Sequence, residues 1–151
     1  MSEVTKNNIS SPVKDPYIIT SPYGDRTLKG KKQFHSGLDF ISETNENTVF
    51  AIYDGWVTYD QDNYDESLRW VDRHHSGGNM VIIKHRINDV SYYARYLHLL
   101  DNYIKKDQPV KAGQKIGVYA DVGISYGAHL HLDLYTLNWK KIDPTFLFEA
   151  A

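Results

Sequence analysis

The chain contains no cysteine. A disulfide framework is therefore excluded, and any metal site has to be built from His, Asp or Glu. No run of apolar residues approaches the roughly 20 that a membrane-spanning helix needs, so no membrane segment is expected. Neither sign of charge dominates: 17 Lys and Arg stand against 19 Asp and Glu, a formal net charge of -2. That balance gives no electrostatic reason to expect nucleic acid or an anionic membrane as a partner. A sustained helical period is missing, and so are internal repeats and low-complexity tracts. The N-terminus, "MSEVTKNNIS", is polar with no apolar stretch behind it, so no secretory signal is expected. A protein of this kind would meet an external target after lysis or as part of a particle.

What the sequence does contain points to β structure. Twelve Tyr and three Trp in 151 residues suit a strand-rich chain or a surface that grips a polymer. The length suffices for one domain with a real core. Residues 1–16 read as a flexible lead-in and residues 17–151 as the domain. "ITSPYGDR" (Ile19–Arg26) is turn-like, and "LKGKKQFHSGLDF" is a loop running into a short strand at Leu38–Ile41. Thr48–Tyr59 reads as two strands around the Asp54–Gly55 turn. Residues 60–78 are polar and charged without period, which predicts a long surface loop. Met80–Arg86 and Ser91–His98 read as strands joined at Asn88–Asp89. "HLHLDLYT" is the last clear strand, and "KIDPTFLF" packs back on the body. The expected fold class is mainly β: a single small domain of antiparallel sheets with little helix.

Three separated elements could carry chemistry. In "GAHLHLDLY" (Gly127–Tyr135), strand alternation puts His129, His131 and Asp133 on one face and Leu130, Leu132 and Leu134 on the other. The leucines are core. The polar face must be solvated, hydrogen-bonded or metal-bound, because unpaired burial costs several kcal/mol. In "HSGLDF", His35 and Asp39 would lie about 13 Å apart if fully extended. Two ligands of one zinc are at most ~4 Å apart, so shared binding requires a bend, for which Gly37 is suited. On the strand that carries "YARYLHL", Tyr92, Ala94, Tyr96 and His98 are expected to share a face, with His98 ending a row of tyrosines. His85 reads as a partly buried histidine on a backbone carbonyl, and His74 and His75 as solvated loop residues.

Together these elements offer His, Asp, His and His. Two histidines and one carboxylate leave a zinc ion with an open fourth position, the catalytic rather than the structural pattern. A nearby histidine could then take a proton from water or steady an oxyanion. The spacing alone leaves open which of His129 and His131 is a ligand.

In order along the chain, these segments resemble the zinc peptidoglycan endopeptidases of the lysostaphin/LytM type. "SPYGDR" resembles the opening turn of that family, and "FHSGLDF" its His-x-Gly-x-Asp motif. "TVFAIYDGWVTY" is similar to its hairpin, and "GGNMVIIKH" with "YARYLHL" to the strand pair ending in Tyr-x-His-Leu. "VKAGQKIGVYADVGISYGAHLHLDL" resembles the stretch closing on His-Leu-His. The resemblance implies one zinc ion held by His35, Asp39 and His131. It implies His98 and His129 as the pair that deprotonates water and steadies the oxyanion. The implied fold is a small antiparallel β domain with a groove over the metal. The implied substrates are stem or cross-bridge peptides of bacterial peptidoglycan. A small domain with no expected secretory signal and no binding repeat fits a phage lysin, a wall hydrolase borne on a particle beside other phage proteins, or a catalytic domain excised from a larger protein. Some members of the family lose a ligand and become regulators; here all five positions are filled.

Ala128 stands where proline is usual in the family, Asp133 where Glu is common, and Val122 and Tyr126 where small polar residues occur. Asp133 reads as a partner that orients a ligand histidine or as a bystander. The alternative function is a non-catalytic peptidoglycan-binding or particle module on the same fold. A lipoyl-type carrier, suggested by "PVKAGQKIG", leaves the histidines unexplained.

Overall fold

The computed structural model of the protein describes residues 5–61, 78–120 and 127–150. The expected loop at 60–78, apart from its ends, lies outside the described residues, as do His74, His75, Val122 and Tyr126. The core is an antiparallel sheet in which β1 (Tyr17–Ser21), β4 (Leu38–Ser42), β11 (Leu130–Tyr135), β8 (Val90–Asn102), β7 (Asn79–Ile87), β6 (Gly55–Gln61) and β9 (Pro109–Val110) lie side by side in that order. β10 (Lys115–Tyr119) pairs with β8 and with β5 (Thr48–Phe50), and β12 (Lys141–Ile142) with β11. β2 (Gly24–Leu28) and β3 (Lys31–His35) form a separate hairpin. A short 3-10 turn at Pro144–Phe148 packs Leu147 into the core and sets Phe148 edge-on against Phe40. The mainly β, antiparallel class expected from the sequence is the class observed. Among the described residues no helix is long and apolar enough to cross a membrane.

Alternation builds the core as expected. Leu130, Leu132 and Leu134 are fully buried and pair across β4 and β8 with Phe40, Leu38, Tyr96 and Ala94. The opposite face carries His131, Asp133 and Tyr135, set against Leu97, Arg95 and Tyr93 of β8. The turn between β7 and β8 falls at Asn88–Asp89, both with positive φ, as a two-residue hairpin requires.

Four expectations are corrected. The flexible lead-in is packed from Thr5 onward, since Thr5 bridges Ala150, Val13 bridges Val49, and Ile9 and Val13 are buried. Two apolar side chains in a polar segment suffice to dock it. The turn and loop over residues 19–37 include the β2–β3 hairpin, closed by Lys29 and Gly30 at positive φ. Its residues Lys31 to Phe34 are exposed, so no apolar alternation marked it. The two strands around Asp54–Gly55 exist but do not pair with each other. β5 pairs with β10 and β6 with β7 and β9, because Ala51 and Ile52 carry the chain through the core between them.

The fourth correction concerns His98, which does not share a face with Tyr96. The β7 pairing of β8 shifts register between Val81, opposite Tyr96, and Asn79, opposite Leu99, and His98 adopts φ 66°. This bulge reverses the alternation. Tyr96 points into the core, where its hydroxyl accepts from Ile52 N–H and lies 2.9 Å from His85 Nε2. His98 turns to the other face, beside His129 and His131.

Candidate functional site

The site forms where β4 and β11 pair and the β2–β3 hairpin folds against them. Asp39 and His131 are cross-strand partners, and His35 arrives from the end of β3. The chain bends between β3 and β4 at Ser36–Gly37, as shared binding by His35 and Asp39 requires. Gly37 is needed for space more than for the bend. A Cβ there would stand 2.6 Å from Leu132 O and 2.7 Å from His131 Nε2, closer than side chains approach.

Three polar atoms converge on one point. His131 Nδ1 lies 2.9 Å from Asp39 Oδ1, and His35 Nε2 lies 3.2 Å from each of them. The opposite sides of these groups meet partners of their own. His35 Nδ1 is 2.8 Å from the Pro22 carbonyl, which can only accept, so the ring proton sits on Nδ1 and Nε2 is a lone pair. His131 lies between two carboxylates, with Nδ1 2.9 Å from Asp39 Oδ1 and Nε2 3.3 Å from Asp133 Oδ2, and a proton kept on Nε2 by Asp133 would free Nδ1 for a metal ion. Asp39 Oδ2 is turned away toward Arg26 Nη1 at 3.5 Å, and Arg26 also donates to Ser21 Oγ at 2.7 Å.

In the metal-free chain these atoms can share protons in hydrogen bonds, and with those protons released all three lone pairs would face one cation. Ligands of a tetrahedral zinc at about 2.1 Å lie about 3.4 Å apart, close to the spacing here. His35, Asp39 and His131 are the group among the described residues whose atoms could hold a metal ion, and the donor set suits zinc. Burial raises the Asp39 carboxyl, but the hydrogen bonds and charge of the surrounding histidines outweigh it and hold the group well below the usual range. Burial pushes His131 down, while Asp133 and Asp39 more than compensate and raise it. Asp133 is lowered on balance: burial raises it, and the His131 and Arg95 bonds prevail.

His129 and His98 flank this cluster. His129 Nδ1 faces Gly127 O at 2.8 Å, which turns Nε2 toward the site, 3.6 Å from Asp39 Oδ1. The His98 and His129 rings are 4.6 Å apart between centroids, and His98 lies 6.0 Å from the His131 ring. The structure therefore brings all five candidate residues together. His85 stays apart in the core, with Nδ1 on the Asp54 carbonyl and burial pushing it down to about 4.

The model of peptidase family M23 matches residues 33–144, a span that holds all five. The chain belongs to peptidase family M23. It is 32% identical over 126 residues to the peptidoglycan DD-endopeptidase ShyA of Vibrio cholerae, covering 82% of this chain and 26% of that protein. The chain thus spans about a quarter of the length of such a curated relative. The catalytic domain of the prophage-encoded M23 protein EnpA from Enterococcus faecalis superposes with TM-score 0.67 at 29% identity. That match covers 90% of this chain and 95% of that one. The catalytic domain of lysostaphin from Staphylococcus simulans gives 0.65 at 26% identity, covering 87% and 91%.

Sequence reasoning missed two arginines of this M23 domain. Arg26 backs Asp39 from the unrecognised hairpin. Arg95 lies opposite Asp133, and both its Nε and Nη2 donate to that carboxylate. A lone charge in the strand "SYYARYLHLL" was the signal that could have found it.

Proposed function

We propose that this chain is an active zinc-dependent endopeptidase that hydrolyses peptide bonds in the stem or cross-bridge of bacterial peptidoglycan. The observation that carries the proposal is the convergence of His35 Nε2, Asp39 Oδ1 and His131 Nδ1, each ring or carboxylate backed on its far side by an outer partner. These three residues would hold the ion, with His129 and His98 beside them. A bound zinc would polarise the scissile carbonyl and acidify a water beside it.

The chain's own residues do the rest. His129, its Nδ1 proton held by Gly127 O, presents an Nε2 lone pair that accepts the proton of the attacking water. His98, beside it on the bulge, donates toward the oxygen that gains charge as the carbonyl is attacked. The proton taken by His129 then passes to the leaving amine. A non-Gly residue in the left-handed region is strained, and here that backbone belongs to the bulge that puts His98 on the site face. Without the bulge its side chain would enter the core beside Tyr96.

The activity named for ShyA and the prophage origin of EnpA support a cell-wall substrate and a phage lysin as this chain's setting. Purified peptidoglycan should release soluble muropeptides with the zinc-loaded chain and none with His131→Ala. Mass spectrometry of the fragments identifies the bond. A His131→Ala protein that still binds peptidoglycan, beside a wild type that binds but leaves it intact, would instead favour the non-catalytic module.

A further inference from the structure

Asp133 is fully buried, yet it carries a charge that the reaction itself does not use. A buried carboxylate survives only if its oxygens are matched. Arg95 Nε donates to Oδ1 at 3.0 Å and Arg95 Nη2 to Oδ2 at 2.7 Å, a side-on fork that fixes the carboxylate plane. Lys141 Nζ is more distant, 3.9 Å from Oδ2, and is also hydrogen-bonded to Ser36 Oγ. Once the plane is fixed, Oδ2 faces His131 Nε2 at 3.3 Å. The two residues are directly opposed on β8 and β11, so the backbone register sets the fork. Arg95 is held from its other side over the Tyr135 ring, 5.5 Å from its centroid.

We infer that Asp133 and Arg95 are a positioning pair that sets the orientation and tautomer of His131 and thereby the zinc affinity of the site. The inference rests on the zinc reading above. An imidazole gives one nitrogen to a metal only if the other keeps its proton, and an acceptor of fixed direction ensures this. His131 is i-2 from Asp133 on the same strand face, so a free Asp133 could rotate away from it. The Arg95 fork removes that freedom. A lysine would satisfy the charge but, as a point donor, would not fix the plane.

The test measures zinc binding by competition with a chromophoric chelator, with circular dichroism and thermal unfolding of the metal-free proteins alongside. Asp133→Asn should weaken zinc binding about 10–100-fold, and Arg95→Lys by about tenfold, with the metal-free fold retained. Lys141→Ala removes a nearby charge without touching the fork and should leave affinity within about twofold of wild type. If Asp133→Asn does not fold, Arg95→Lys carries the test. Wild-type zinc affinity in folded Arg95→Lys, or an equal loss in Lys141→Ala, overturns the inference. Because the readout is metal binding, a wild type that binds zinc without cutting peptidoglycan defeats the catalytic proposal and leaves this one standing. Failure of the wild type to bind zinc overturns both.

Discussion

His131 Nδ1 and Asp39 Oδ1 face each other at 2.9 Å across paired strands, each with its other polar atom already committed elsewhere. A ring nitrogen and a carboxylate oxygen held this way suit a cation site by what backs them: Asp133 behind one, Arg26 behind the other.

Arg26 should matter through Asp39. Its Nη1 reaches Oδ2, which leaves Oδ1 as the atom that faces the two histidines. Arg26→Ala should weaken zinc binding about tenfold while the chain stays folded. Isothermal titration with zinc measures it, and unchanged affinity would remove Arg26 from the support of the site.

Gly37→Ala should damage the site more than the fold. The added methyl meets Leu132 O at 2.6 Å and the His131 ring at 2.7–2.8 Å, and of these the ring is the group that can move. Zinc affinity should fall about tenfold or more as the His131–Asp133 bond is lost. Thermal unfolding of the metal-free variant should show a cost of about 1–3 kcal/mol, typical of overpacking. A variant that binds zinc normally contradicts the contact.

His129→Ala and His98→Ala should each keep one zinc per chain and lose catalysis. Loss of a general base lowers kcat by about 10²–10⁴, and loss of an oxyanion donor by about 10²–10³. Metal analysis paired with initial rates of muropeptide release separates these effects from ligand loss. Either variant arriving without zinc would make that histidine a ligand.

The stability of the metal-free chain should depend on His85. Burial holds it near 4 in the folded state against an unfolded value of 6.5. Between those values the unfolded chain binds more protons, so stability rises with pH through the window. The contribution is fully present above about pH 6.5 and is lost as pH falls through about 4, a change of about 3 kcal/mol. Urea unfolding of wild type and His85→Gln, both with chelator, should differ by an amount that varies across this range. A pH-independent difference would show that His85 does not titrate on unfolding.

How much of this was legible follows from the kind of signal each residue leaves. The His-Leu-His strand announced itself because alternation separates leucines from polar groups over six residues, and β11 obeys it. His35 and Asp39 were visible as a spacing that needed a bend. Which of His129 and His131 turns inward was not visible, since both lie on one face by alternation. The choice depends on Gly127 O capturing one ring and Asp133 the other. The bulge at His98 could not be read either, because one residue in the left-handed region leaves no mark in the apolar pattern. The β2–β3 hairpin was missed for the opposite reason: its exposed side chains resemble a loop. Arg26 and Arg95 act at a distance in sequence, through register, and register is what a single sequence shows least.

The most direct test of the account is a titration of the chelator-treated chain with zinc, followed by clearing of purified peptidoglycan. Clearing should rise from nothing to a plateau at one equivalent of zinc, and His35→Ala and Asp39→Ala should stay inactive at that ratio. Clearing by the metal-free chain, or none when one zinc is bound, would contradict it.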